Sequence, residues 1–172
     1  MILSPVGFGS YRVSNRSAEH KSALLKAIDE GCNLVDTSTN YTGGESELLI
    51  GEVIKERPDK RIFVVSKAGY IQGKRLEEVQ ELIDAGRCKE ELVKVGEGLC
   101  HSIHPEFLEL ELENSLKRLG VDKIDVYLLH NPEYYFEEEG ATQDEYYKRI
   151  EKAFSFLESK VAEGKIKYYG VS

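Results

Sequence analysis

The sequence predicts an α/β protein in which strands and helices alternate, and three observations carry that expectation. Five short apolar runs recur along the chain, at residues 6–13, 33–36, 61–67, 124–130 and 166–172. Four segments with apolar residues at helical spacing separate them. Three of the runs end in reactive side chains on the same rim, namely Asp36 with Tyr41 just beyond it, Lys67, and His130. Alternation of this kind requires right-handed crossovers and a mostly parallel sheet covered by helices. Reactive groups at the C-terminal ends of several strands favour a (β/α)8 TIM-barrel type over an open doubly wound sheet. An open dinucleotide-binding sheet would want G-x-G-x-x-G leading straight into a helix, whereas Gly7-x-Gly9 is followed here by Arg12 where the third glycine would fall.

Each element has a local reason. Residues 6–13 read as a short extended segment with two glycines, and Ser17 as the N-cap of a helix over 18–30 that Gly31 closes. Asn33-Leu34-Val35-Asp36 is an apolar run ending in a carboxylate. A second helix over 45–55 puts Leu48, Leu49, Val53 and Ile54 on one side until Arg57-Pro58-Asp59 stops it. Residues 61–67 form a compact β-branched run bounded by charge, as in a buried parallel strand. Residues 71–104 then interrupt the rhythm with one short helix, 76–85, closed by Gly86; a connection of that length is a functional excursion or an ordered surface one. Pro105 opens a helix that Gly120 ends, residues 124–130 are the fourth strand, and a helix carrying Ile150, Phe154, Leu157 and Val161 leads past Gly164 into the fifth.

Composition excludes several classes. With 172 residues, 41% hydrophobic, the chain has material for one core. A net charge of -8 argues against a nucleic-acid partner, which needs a basic face. Cys32, Cys88 and Cys100 are odd in number and irregular in spacing, a poor disulfide framework that fits a reducing, cytoplasmic setting. No apolar run approaches membrane-spanning length. Cys100-His101-Ser102-Ile103-His104 lacks the paired spacing of a zinc site, so no metal is assigned to it, and it reads as a loop packed near the mouth of the active site.

The strand-end residues make a coherent acid catalyst if they converge. A tyrosine, with an ordinary pKa of about 10, is protonated at neutral pH and can donate to an alkoxide. A lysine ammonium stabilises the tyrosinate left behind, an aspartate fixes the lysine, and a histidine can polarise and orient the carbonyl. None of these groups supplies hydride, so carbonyl reduction would need a nicotinamide cofactor.

The segments Gly7-Phe8-Gly9-Ser10-Tyr11, Asn33 to Tyr41 with Glu45-Ser46-Glu47-Leu48-Leu49-Ile50-Gly51, and Val64-Val65-Ser66-Lys67 resemble the N-terminal part of an aldo-keto reductase. The order continues through Ser115-Leu116-Lys117-Arg118-Leu119-Gly120, Asp125-Val126-Tyr127-Leu128-Leu129-His130 and Gly164-Lys165-Ile166-Lys167 with Gly170-Val171-Ser172. The resemblance implies an NADPH-dependent carbonyl reductase with Asp36, Tyr41, Lys67 and His130 as catalytic tetrad and Tyr41 as proton donor. It implies that Gly9, Ser10, Tyr11 and Asp36 lie near the nicotinamide end of NADPH, and that Ser172 begins the Ser-Asn pair that binds its carboxamide. Residues 1–172 would then be one partial barrel, truncated after the fifth of eight strands by design, by proteolysis or in the gene. Open sheet edges would invite self-association or a complementary fragment. Two other functions compete: a class I aldolase-like lyase forming a Schiff base on Lys67, and a non-enzymatic partial-barrel assembly module.

Overall fold

The computed structural model describes residues 2–86 and 91–172. Cys88 lies outside them. The strands are β1 (Phe8–Gly9), β2 (Leu34–Asp36), β3 (Phe63–Ala68), β4 (Tyr70–Gln72), β5 (Val93–Gly96), β6 (Leu99–His101), β7 (Ile124–Leu129) and β8 (Ile166–Val171). The helices are α1 (Ala18–Asp29), α2 (Glu45–Glu56), α3 (Arg75–Asp84), α4 (Pro105–Leu119) and α5 (Gln143–Ala162). β1, β2, β3, β7 and β8 form one parallel sheet in that order. It follows the expected alternation and is five strands of a (β/α)8-type barrel.

Local sequence explains the boundaries. Ser17 accepts the amide of His20 at the start of α1, His104 accepts that of Glu106 at the start of α4, and Thr142 that of Glu145 at the start of α5. Gly120 closes α4 in the left-handed region, at φ 65. The helix-facing side of the sheet holds the core: Val64, Tyr127 and Leu129 pack beneath Leu49, Val53, Phe107, Leu108 and Leu112. The opposite face, with Val65, Val126 and Leu128, is only half-buried. Gly51 lets α2 and α4 approach closely, because a Cβ there would stand 2.6 Å from the carbonyl oxygen of Arg118.

Two expectations need correction. The extended segment over 6–13 contains only the two-residue β1, because Ser10 turns the chain so that the amide of Val13 bonds back to its carbonyl. The excursion over 71–104 is more than a loop with a helix. β4, β6 and β5 form a separate antiparallel sheet that begins right after Gly69 and returns along β6 to the rim of the barrel. Among the described residues, no helix is long and apolar enough to cross a membrane, and no group of side chains could hold a metal ion.

Candidate active site

β2 and β3 are in register, Asp36 opposite Val65, and the ladder continues beyond β2: Thr37 and Thr39 amides donate to the carbonyls of Val65 and Lys67 at 2.8 and 3.0 Å. The chain therefore leaves the sheet along a fixed line and enters a short 3-10 turn, Tyr41–Gly44. Thr42 occupies the left-handed region there, with φ 49. A threonine in that conformation stores strain of about 1 kcal/mol or more, and its hydroxyl is tied to the carbonyl of Val13. Tyr41 is thereby aimed back over the end of β3.

Three of the four expected catalytic groups meet at one nitrogen. Lys67 Nζ donates to Asp36 Oδ1 at 2.6 Å and to the carbonyl of Thr37 at 2.7 Å, and lies 3.4 Å from the Tyr41 hydroxyl. The lysine is buried, while the Asp36 side chain is 44% exposed. His130 follows β7, its ring centroid 6.0 Å from that of Tyr41. Burial, then the Lys67 ammonium, then His101 push its pKa down to about 4, so the ring is neutral at neutral pH.

Three residues around His130 carry no signal of their own as single letters in a sequence. Ser38 Oγ is 3.0 Å from its Nδ1. His101, from β6, has its Nε2 2.6 Å from the backbone carbonyl of His130; burial holds the His101 pKa low, so it donates as a neutral imidazole. Tyr70, from β4, sets its ring edge-on at 4.7 Å from His130 and donates to Asn131 Oδ1 at 3.1 Å. Cys100 and His101 belong to β6 rather than to the expected loop, and His101 is the residue of that segment that reaches His130. Gly69 is required at this junction: a Cβ would lie 2.4 Å from the His130 carbonyl oxygen and 2.5 Å from His101 Nε2.

The residues expected near a nicotinamide are distributed unevenly. Gly9 pairs with Asp36 at the end of β1, and a Cβ on it would meet nothing within 4 Å, so the space above it is open. Tyr11 is exposed, its ring 5.2 Å edge-on from Tyr41. Ser10 is fully buried; its hydroxyl donates to the carbonyl of Asp36 at 2.7 Å and accepts from Ser46 at 2.7 Å, so it braces the backbone of Asp36. Ser172 is exposed after β8, and its amide donates to the carbonyl of Leu129 at 3.0 Å. Gly9, Tyr11 and the Asp36 carboxylate are thus open to solvent, whereas Ser10 can act only through the backbone it braces.

A half-barrel with this strand order and these strand-end groups defines an α/β enzyme-like scaffold whose rim gathers an acid, a base and a phenol. The family profile described as "Aldo/keto reductase family" matches residues 5–172, and the chain belongs to that family. It is 27% identical to the NADH-specific methylglyoxal reductase of Escherichia coli, over 100% of this chain and 49% of that protein. It is 32% identical to the Schizosaccharomyces pombe aldo-keto reductase yakc [NADP(+)], over 97% of this chain and 42% of that protein. The structure of aldo-keto reductase AKR11C1 from Bacillus halodurans superimposes with a TM-score of 0.72 at 24% identity, over 100% of this chain and 47% of that one, and shares its fold. The chain spans about half the length of these relatives.

Proposed function

We propose that this chain carries the proton-donating half of an NADPH-dependent carbonyl reductase site acting on small aldehydes or ketones. The observation that carries the reading is the convergence of Asp36, Lys67 and Tyr41 on one nitrogen at 2.6–3.4 Å. Tyr41 would give its phenolic proton to the carbonyl oxygen as charge develops there. The Lys67 ammonium would stabilise the resulting phenolate, and Asp36 fixes the ammonium in place. His130 is neutral, and Ser38 holds its Nδ1, so Nε2 is the nitrogen left to orient the carbonyl. Gly9, Tyr11, Asp36 and Ser172 would meet the nicotinamide, with Ser10 acting through the backbone of Asp36. The hydride would come from that bound cofactor, chemistry that no side chain here can supply.

The Schiff-base alternative asks Lys67 for a free amine, yet its Nζ is held by Asp36, Thr37 and Tyr41 together. Self-association would use the outer edge of β8, where Tyr168 and Val171 are exposed; light scattering at increasing concentration tests it.

The test is oxidation of NADPH, and of NADH in parallel because the two relatives differ in coenzyme by name, across a panel of aldehydes. It is run on this chain and on a chimera joining it to the remaining half of a matched relative. Turnover that falls at least about a hundredfold in Tyr41→Phe supports the reading. No turnover in either form, or turnover indifferent to Tyr41→Phe, overturns it.

A further inference from the structure

The antiparallel sheet reaches the barrel rim through a cross-strand pair. Tyr70 on β4 and His101 on β6 stand opposite each other in register, with their rings edge-on at 5.7 Å. Directly opposed residues of an antiparallel pair share one face of the sheet and pack against each other. Both side chains end on the two residues that follow β7. His101 Nε2 meets the His130 carbonyl at 2.6 Å, and because a carbonyl only accepts, that nitrogen carries the proton. The Tyr70 hydroxyl donates to Asn131 Oδ1 at 3.1 Å, and its ring lies edge-on, 4.7 Å from the His130 imidazole.

The turn that these contacts reach is an uncommon one. Asn131 sits in the left-handed region at φ 48, which a residue other than glycine keeps where its surroundings support it. The barrel holds the amides of the turn, His130 through the carbonyl of Ala68 at 2.8 Å and Asn131 through that of Ser172 at 3.2 Å. The excursion holds the His130 carbonyl, through a His101 side chain that is 2% exposed and so shielded from water. Ser38 then fixes Nδ1 of the imidazole at 3.0 Å. None of these contacts uses Nε2.

We propose that His101 and Tyr70 are positioning residues for His130, so that the antiparallel excursion sets the angle at which the imidazole stands beside Tyr41. Resting on the reductase reading, that angle decides how well Nε2 meets the carbonyl oxygen that Tyr41 protonates. A misplacement of about 1 Å in such a group can cost about a hundredfold in rate. The excursion thereby acts on the chemical step through His130.

The first measurement needs neither cofactor nor turnover, so its outcome is separate from that of the reductase assay. The ring nitrogens of His130 are followed by long-range proton–nitrogen NMR in the 15N-labelled chain at neutral pH, where the ring is uncharged. Held against Ser38, the ring keeps one tautomer and its two nitrogens are far apart in shift; released, it samples both tautomers and they move together. His101→Phe keeps a ring and removes the donor. It is expected to bring the two nitrogens together and to weaken the nuclear Overhauser contact between the His130 and Tyr41 rings. His101→Gln, whose amide can donate to the same carbonyl, should restore both. If His101→Phe does not fold, Tyr70→Leu should produce the same change, with Tyr70→Phe lying between it and the unsubstituted chain. In the chimera, His101→Phe should lower kcat per folded molecule about ten- to a hundredfold with KM within about twofold, and His101→Gln should recover most of it. Unmoved ring nitrogens with an unchanged Tyr41 contact in the folded variants, or the same displacement in His101→Gln as in His101→Phe, overturn the proposal. A chimera without turnover before any substitution would strike the reductase reading, and the ring measurement would still decide the positioning.

Discussion

Ser66 and Lys67 are consecutive on β3 and point to opposite faces of the sheet, and the two sides handle charge in opposite ways. On the helix side, Ser66 donates to Glu47 Oε1 at 2.6 Å while Arg118 holds Glu47 Oε2 at 2.6 and 2.7 Å from its two nitrogens. Glu47 is fully buried, and every oxygen is answered by protein. On the barrel side, Lys67 is equally buried, yet its partner Asp36 opens to solvent and Tyr41 is only half-covered. Both are ion pairs anchored to the same strand. One is closed and can do nothing but hold β3, α2 and α4 together; the other keeps an open side, which is what a group that must exchange protons with a ligand requires.

Breaking the closed side should have the largest effect on stability. Arg118→Met leaves the Glu47 carboxylate buried without its cation, at a cost of about 3–5 kcal/mol by urea denaturation. Glu47→Gln/Arg118→Met should recover most of that loss, since Gln still accepts from Ser66. A cost below about 1 kcal/mol for the single change would mean that the closed pair is not structural.

Gly69→Ala attacks the seam between the barrel and the antiparallel sheet. The added methyl would have to displace the His130 backbone or the His101 ring, which costs about 1–3 kcal/mol. Because both shift together, the His130 ring resonances should move in the NMR spectrum as well. Wild-type stability with unmoved resonances would show that the seam has slack.

Lys67→Met, on the open side, should cost less, about 1–2 kcal/mol, because Asp36 can turn to water. The contrast lies in function: the proposed turnover should fall at least about a hundredfold. Stability loss as large as in Arg118→Met would erase the distinction between the two faces.

The parallel sheet was legible because its strands are apolar runs bounded by charge, and the helices because caps such as Ser17, Pro105 and Gly120 mark their ends. The convergence of Asp36, Tyr41 and Lys67 followed from strand order and from Lys67 being an unusual residue to bury. The antiparallel sheet was hidden because its strands run only three or four residues, too short for a period to declare itself, although Val93-Lys94-Val95 before Glu97-Gly98 is a hairpin signal. Ser38 and His101 could not be assigned from sequence, because their importance lies in contacts 92 and 29 residues away, the first made across the rim from beyond β2 to His130 and the second where the end of β6 meets His130.

The smallest effect expected is the pH dependence of the open side. His130 has a folded pKa near 4 against an ordinary value of 6.5. As pH falls below 6.5 the unfolded chain takes up this proton first, so stability that is complete above 6.5 is lost as pH falls toward 4. With the ring partly exposed, the loss near pH 5 should stay at about 1–2 kcal/mol, and His130→Gln should remove it. The groups facing the ring separate its causes: Lys67 and His101 oppose its protonation, and Glu133 favours it. If the Lys67 charge reaches the ring through the open site, the His130 titration followed by NMR should move upward in Lys67→Met. Burial alone would leave the midpoint where it is, and the Lys67 charge would then act on Asp36 and Tyr41 without reaching the ring.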